Sequence, residues 1–410
     1  MINFIWGGMV LIGILGAIFR FLVYQDTEVF GLLMQAIFNN AKNAVDVSLG
    51  LIGILSFWLG VLKLIEETGL SRKISQKLYP LFSIIMKDVP KDSPAISTIV
   101  LNMAANFLGL DNAATPMGIK AMEQLQVHNK KKDVASDAEI LFMILNASSV
   151  TFIPITIFMY RAQLGAKFPT DVFIPILIAT SVSTMVGFLL VAFRQKIDLF
   201  QPVLKKWLLG FVGFIVGTCL IFLSIEADKR IIVSSVLGNL IIVLAIGWVF
   251  FETLKNKINS YEIFIDGAKE GFNVAVKIIP YLVSMLIAIG VFRASGVMDA
   301  FIGCIREICN YIGFNADFVE ALPTAILKPL SGSGARAMMI ETMNTFGADS
   351  FSGFVASVVQ GSTETTFYVL AVYFGAINIS KTRYALKYGL LSDLAGIITA
   401  IVVAYIFYEN

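Results

Sequence analysis

The segment Ala41-Lys42-Asn43-Ala44-Val45-Asp46-Val47, continuing to Thr68-Gly69-Leu70, aligns without a gap on Ala268-Lys269-Glu270-Gly271-Phe272-Asn273-Val274, continuing to Ser295-Gly296-Val297. The offset that sets Ala41 on Ala268 also sets Gly69 on Gly296. Further on, Asn146-Ala147-Ser148-Ser149-Val150-Thr151 answers Gln360-Gly361-Ser362-Thr363-Glu364-Thr365. Ser148 there meets Ser362 at a smaller offset, so the second copy lacks a short loop. Two related apolar halves, each with a polar interruption at a matching place, form the sequence pattern of a transporter whose site lies between repeats.

Composition excludes a soluble domain. The chain is 57% hydrophobic and 15% charged, against about 25% charged in soluble proteins. A net charge of +2 gives no electrostatic reason for a nucleic-acid partner. Cys219, Cys304 and Cys309 are odd in number and irregular in spacing, which argues against a disulfide framework. Without a histidine or second cysteine pair beside them, they read as small packing residues rather than metal ligands. The start Met1-Ile2-Asn3-Phe4-Ile5-Trp6 has no basic segment, so the first apolar run reads as a retained span.

A spanning helix needs about 20 mostly apolar residues. Nine runs meet this: Phe4–Val23, Val47–Ile65, Ile140–Tyr160, Val172–Phe193, Trp207–Ile225, Ile231–Phe251, Asn273–Phe292, Phe351–Phe374 and Tyr388–Phe407. Two further stretches, Ala95–Val127 and Leu322–Phe346, are apolar but broken by Gly, Asn, Ser and Pro. Lys and Arg favour the cytoplasmic side. The basic residues between Lys63 and Lys91, and the group Lys130-Lys131-Lys132, then both lie inside. Ala95–Val127 must enter and leave by one face, as a re-entrant hairpin does. Continuing the count puts Arg194, Lys196, Lys205, Lys206, Lys255, Lys257, Lys269, Lys381, Arg383 and Lys387 inside. Arg161–Thr170 and Glu226–Arg230 fall outside. The second hairpin then enters from the outside, and the halves become inverted repeats. Their expected bounds are 1–200 and 231–410, with a linking transmembrane helix in 201–230. Each hairpin is preceded by an amphipathic segment, Ser71–Lys87 or Val297–Ile312, with the spacing of a helix lying in the interface plane.

The interruptions carry the candidate site. The first hairpin holds Asn102, Asn106, Asp111, Asn112 and Thr115 around Gly109. A helix broken there can restart with Asp111 or Asn112 as its N-cap, and free N–H groups at a restart attract anions. The second hairpin holds Leu330-Ser331-Gly332-Ser333-Gly334, where glycine permits a tight tip and Ser331 and Ser333 can cap. Capped turns without a ligand fit both stretches as well. The following spans hold Asn146, Ser148 and Ser149 before Pro154, and Gln360, Ser362, Thr363 and Glu364. A carboxylate at the centre of a spanning helix costs roughly 2.5–3.5 kcal/mol. Glu364 is therefore paired, for instance with Lys328, or protonated, or a binding or ion-coupling group. Asp393, early in the last span, is the second ion-coupling candidate.

Asn102 through Met122 closely resembles the spore maturation protein A family of bacteria. Leu330 through Gly334 and Gln360 through Tyr373 resemble the spore maturation protein B family. The chain looks like a fusion of the two. Both belong to the nucleoside-recognition, or Gate, family, which is similar to parts of concentrative nucleoside transporters and of ferrous-iron transport protein B. The resemblance implies an all-α polytopic protein of the bacterial inner membrane, with two inverted repeats, re-entrant hairpins and broken helices as in the nucleoside transporter core. A nucleoside substrate does not follow from it, and no G domain precedes the membrane region.

The leading expectation is a transporter of a small polar or anionic solute with no cofactor, coupled to Na⁺ or H⁺, since no phosphate-binding P-loop motif is present. The expected partners are the lipid bilayer, the solute and, through the linking helix, a second copy of the chain. The competing expectation is a scaffold or regulatory protein of spore maturation type. An intramembrane hydrolase is disfavoured, because a serine nucleophile needs a base within reach and the lone His128 sits beside the basic loop. A Lys328–Ser331 dyad is the remaining catalytic option.

Overall fold

A long apolar run in lipid can pair all its backbone polar groups within itself only as a helix. The computed structural model describes residues 2–90, 93–107, 111–313 and 315–408, and among them it has seventeen α-helices and no strand. These are α1 (Ile2–Tyr24), α2 (Val29–Glu67), α3 (Leu70–Ile85), α4 (Pro94–Phe107), α5 (Asp111–His128) and α6 (Asp137–Ala147). Next come α7 (Ile155–Gln163), α8 (Phe173–Arg194), α9 (Pro202–Ser224), α10 (Ala227–Lys255), α11 (Ser260–Ala294) and α12 (Val297–Tyr311). The chain closes with α13 (Leu322–Leu327), α14 (Gly332–Phe346), α15 (Phe351–Gly361), α16 (Thr366–Ala376) and α17 (Ala385–Phe407).

Helices α1, α2, α8, α9, α10 and α17 are long and apolar enough to cross a membrane, and Leu282–Ala294 with Val297–Tyr311 pass together across a 68° bend. Large apolar side chains such as Leu11, Phe19, Leu220, Ile221, Val243 and Leu244 are exposed on α1, α9 and α10, as expected of surfaces facing lipid. The expected spans Val47–Ile65 and Asn273–Phe292 lie within the longer α2 and α11. Ile140–Tyr160 and Phe351–Phe374 are not single helices. Each is two short helices, α6 with α7 and α15 with α16, separated by non-helical residues 148–154 and 362–365. Counting a run by length alone does not separate two short helices from one span, although Pro154 and the polar Ser362-Thr363-Glu364 mark where the breaks fall.

The repeat is visible in the elements. Helices α3 and α12 start at Leu70 and Val297, which the gapless alignment sets opposite each other. Their N-caps, Gly69 (φ 66°) and Gly296 (φ 83°), are both left-handed, a conformation that costs other residues about 1–2 kcal/mol. Helices α6 and α15 are equally long, and their starts, Asp137 and Phe351, stand at the same offset as Ser148 and Ser362.

Two compact units divide the chain: Met1–Gly60, Thr156–Pro169 and Phe264–Gln360 form one, and Val61–Ile155, Thr170–Ile263 and Gly361–Asn410 the other. Each takes pieces of both sequence copies.

In the first unit, α2 and α11 approach through small residues. A Cβ on Gly271 would fall 2.5 Å from the Ser56 Cα, and one on Gly60 2.6 Å from the Phe264 ring. Close backbone approach of this kind is how helices pack in lipid, where burial alone gives little drive. The Trp6 indole N–H donates to the Ser284 carbonyl at 2.9 Å.

In the second unit, α8 and α17 pack along their length. Ser183 and Ser392 exchange hydrogen bonds, each hydroxyl reaching the other's carbonyl at 2.9 and 2.7 Å. The basic loops share one end of this unit. Lys381 pairs with Asp133 at 3.2 Å and Arg383 with Asp137 at 2.7 Å, and the Lys87 ammonium donates to the Lys196 carbonyl at 3.0 Å. Burial pushes the Tyr384 hydroxyl up to about 12, so it stays a neutral donor to Asp137 at 3.0 Å. The same end carries the base of the first hairpin, where Ser93 Oγ and His128 Nε2 lie 2.9 Å apart. Helices α4 and α5 thus enter and leave by one end, as the charge count requires. A capping box starts α6: Glu139 accepts from the Ser136 N–H at 2.7 Å, and its own N–H donates to Ser136 Oγ.

Candidate functional site

Helix α4 places Asn102 and Asn106 one turn apart on a common face. The Asn106 amide donates to Asn146 Oδ1 at 2.7 Å, and the Tyr373 hydroxyl donates to the same oxygen at 3.0 Å. The Asn102 amide donates to the Ala114 carbonyl at 2.7 Å and to the Tyr373 hydroxyl at 3.3 Å. Both hairpin arms, the end of α6 and the second copy's α16 are therefore joined by one buried polar chain. The Phe142 and Tyr373 rings stack with centroids 5.5 Å apart. Gly118 on α5 makes room for this tyrosine, since a Cβ there would overlap the hydroxyl. Tyr373 is a member that sequence alone does not mark as a site residue. Its signal is only its place at the end of the motif that starts at Gln360.

The two helix breaks meet. The Glu364 backbone N–H donates to the Ala147 carbonyl at 2.8 Å, so the second break satisfies an acceptor left over at the end of α6. Glu364 itself is half-buried and lies outside any helix, in the interruption between α15 and α16 rather than within a helix of the span. Ser148 is buried, with its hydroxyl on the Ile144 carbonyl at 2.8 Å and its own carbonyl accepting from the Thr184 hydroxyl. The Phe152 N–H donates to the Phe107 carbonyl at 3.1 Å, and their rings stack at 5.0 Å, which ties the first break to the end of α4. The side-chain hydroxyls of Ser149, Thr363 and Thr366 are buried without a hydrogen-bond partner among the described residues, as is Asn102 Oδ1. Ser362 is buried in the same break.

Asp393 is fully buried on α17. Gly389 and Gly396, one turn to either side on its face, lie against Thr366 and Thr363: a Cβ on either would fall 2.6 Å from a threonine methyl. The face of α17 that carries Asp393 is therefore the face turned to the second break. Thr115 is half-buried on α5. The side chains of Asp111 and Asn112, and the hairpin tip at 108–110, lie outside the described residues.

In the first unit, Ser331 caps α14 as expected, with the Gly334 N–H donating to its hydroxyl at 3.0 Å. Ser333 Oγ lies 3.3 Å from Ser331 Oγ, and the Arg336 guanidinium sits 5.8 Å from the Tyr160 ring centre. Gln360 is buried at the end of α15. Arg161, which sequence shows only as a loop charge, is fully buried. It donates to the Ala348 carbonyl at 2.9 Å and to Ser357 Oγ at 3.3 Å, and it reaches Asp349 at 3.7 Å. An arginine just past an apolar run looks the same in sequence whether it snorkels or anchors a loop.

Among the described residues, no group of three or more His, Cys, Asp or Glu is placed to hold a metal ion. What the second unit assembles is a buried, neutral hydrogen-bonded cluster, with Glu364 in the same break as Thr363 and Asp393 on the helix face turned to that break.

Comparison with known proteins agrees with the repeat. The family model described as nucleoside recognition (Gate) matches residues 48–167 and again 275–380, more than half of the chain. The two matches start at the offset that relates Gly69 to Gly296. Spore maturation protein B of Bacillus subtilis (strain 168) is 44% identical over 168 residues, covering 41% of this chain and 92% of that protein. Spore maturation protein A of the same organism is 40% identical over 183 residues, covering 45% of this chain and 90% of that protein. The two align with different parts of the chain. With its several apolar helices this is a multi-pass membrane protein, and the chain belongs to the Gate, or nucleoside-recognition, family.

Proposed function

We propose that the chain is a secondary transporter of a small polar or anionic solute, nucleoside-like compounds included, in a bacterial inner membrane. The observation that carries this reading is the junction of the two breaks. Around the Glu364–Ala147 bond stand the buried hydroxyls of Ser149, Thr363 and Thr366, without a hydrogen-bond partner among the described residues. An unsatisfied buried polar group costs about 1–3 kcal/mol and calls for an explanation. A hydroxyl-bearing solute or a desolvated cation supplies the missing partners. Glu364 and Asp393 are the groups to which Na⁺ or H⁺ coupling is assigned, since intramembrane carboxylates ordinarily carry ions or protons. Inverted repeats of the concentrative nucleoside transporter type are part of this proposal, because discontinuous helices paired by such symmetry place solute and ion sites near the midplane.

The test is flux into proteoliposomes across imposed Na⁺ and H⁺ gradients, with a panel of labelled nucleosides and other small polar solutes. Wild-type protein is expected to accumulate at least one of them. Glu364→Gln and Asn106→Ala are expected to lower its flux about tenfold or more, the worth of one buried hydrogen bond, with normal membrane insertion. Unchanged flux in both variants removes these residues from the mechanism.

A second reading stands on the relatives' names, which record spore maturation and not transport. The fold then serves as a membrane scaffold or regulatory protein. Folded protein that neither moves nor binds any solute of the panel under any gradient favours it. Neither reading involves catalysis.

A further inference from the structure

The second unit contains a cavity of about 410 Å³ with an apolar surface, Ser149 and Thr184 being the polar residues among those that line it. Its volume lies in the range of small-molecule clefts, roughly 300–1,000 Å³. One wall is the apolar face of the amphipathic α3, through Phe82 and Ile85, and another is α9, through Trp207 and Phe211. A second cavity of about 360 Å³ shares Trp207 and Phe211 and is rimmed by Lys206. Lys205 and Lys206 lie in the first two turns of α9, both exposed, and make no ion pair among the described residues.

Chemistry selects the occupant. A polar solute would find almost no partner in the larger cavity. Lys206 rims the adjoining cavity beside Trp207, with Lys205 exposed one residue before it, and that order of basic, aromatic and apolar matches the layers of a membrane interface. The lysines belong to the basic face shared by Lys87, Lys196 and Lys381, where charge counting puts the cytoplasm and where anionic lipids gather. We infer that α3, α8 and α9 form a binding site for an anionic phospholipid, with an acyl chain in the apolar cavity and the phosphate on Lys205 and Lys206. The Lys87–Lys196 bond already ties the end of α3 to the α8–α9 loop, and the lipid fills the space that this tie leaves beneath. The site borders the proposed solute site at Ser149, but the lipid reading does not depend on transport.

The experiment uses the full-length protein purified in detergent. Thermal melting and native mass spectrometry are run with phosphatidylglycerol, with phosphatidylcholine of the same acyl chains, and with inorganic phosphate alone. Phosphatidylglycerol is expected to raise Tm and to be retained, phosphatidylcholine to do so much less, and phosphate to do nothing. Lys205→Gln with Lys206→Gln is expected to weaken phosphatidylglycerol binding roughly 10–30-fold, the effect of two surface lysines. Leu208→Trp, filling the cavity, is expected to weaken both lipids. Equal shifts from the two lipids, a shift from phosphate alone, or undiminished selectivity in the double variant would overturn the site. So would a Trp207→Cys variant that cross-links to a second copy in lipid-free detergent, since a partner chain would then occupy this face.

Discussion

Asn146 shows how a single side chain organises the second unit. Its Oδ1 accepts from both Asn106 and Tyr373, and its amide donates to the Phe142 carbonyl at 3.0 Å, so the side chain is engaged at both ends. That engagement makes the cost of deletion predictable. Tyr373→Phe keeps the stacked ring and removes one donor, and should lower stability by about 1 kcal/mol. Gly118→Ala drives a methyl into the same hydroxyl and should cost about 1–3 kcal/mol. Thermal or denaturant melts of purified protein measure both, and a Tyr373→Phe melt equal to wild type would show that the polar chain contributes nothing. The asparagines were legible in sequence because polar residues stand out in an apolar run. Tyr373 was not, because a tyrosine in a span is as readily an interfacial anchor as a buried donor.

Among elements, the paired glycines before α3 and α12 separate two roles of the residue. Gly69 and Gly296 have positive φ, whereas Gly53 lies inside α2 with open space at its Cβ position. Gly69→Ala and Gly296→Ala should each destabilise by about 1 kcal/mol or more, while Gly53→Ala should leave stability equal or raise it by up to about 1 kcal/mol. Melts of the three variants check this, and equal effects at all three positions would contradict a conformational role. The break positions were partly legible. Pro154 marked the first, but Glu364 read as a buried helical residue. Helix propensity and hydropathy are local sums, and neither records that a carbonyl of another span is waiting for the Glu364 N–H.

For the whole molecule, the shared end of the basic loops makes a topological claim. Cysteines placed at Lys131, Lys205 and Lys387, all exposed, should react with an impermeant maleimide from the same side of intact membranes. A cysteine at Lys229 should react from the other side. If any of the first three labels with Lys229, the charge count is wrong for that loop. The interleaving of the sequence copies is a further property of this scale. Each compact unit draws on both copies, so neither half of the chain contains the residues of a complete unit.

By itself the sequence determined the membrane setting, the repeat, the two hairpins and most of the polar residues at the interruptions. These follow from composition, periodicity and self-similarity, which are properties of the chain read in order. Only the tertiary structure decided where the helices on either side of each interruption stop, that the breaks meet through Glu364 and Ala147, and that Tyr373 closes the polar chain begun by Asn102. The last two depend on hydrogen bonds between residues of different sequence copies, far apart along the chain. A backbone group's choice between its own helix and a distant partner is settled only when packing brings that partner within reach.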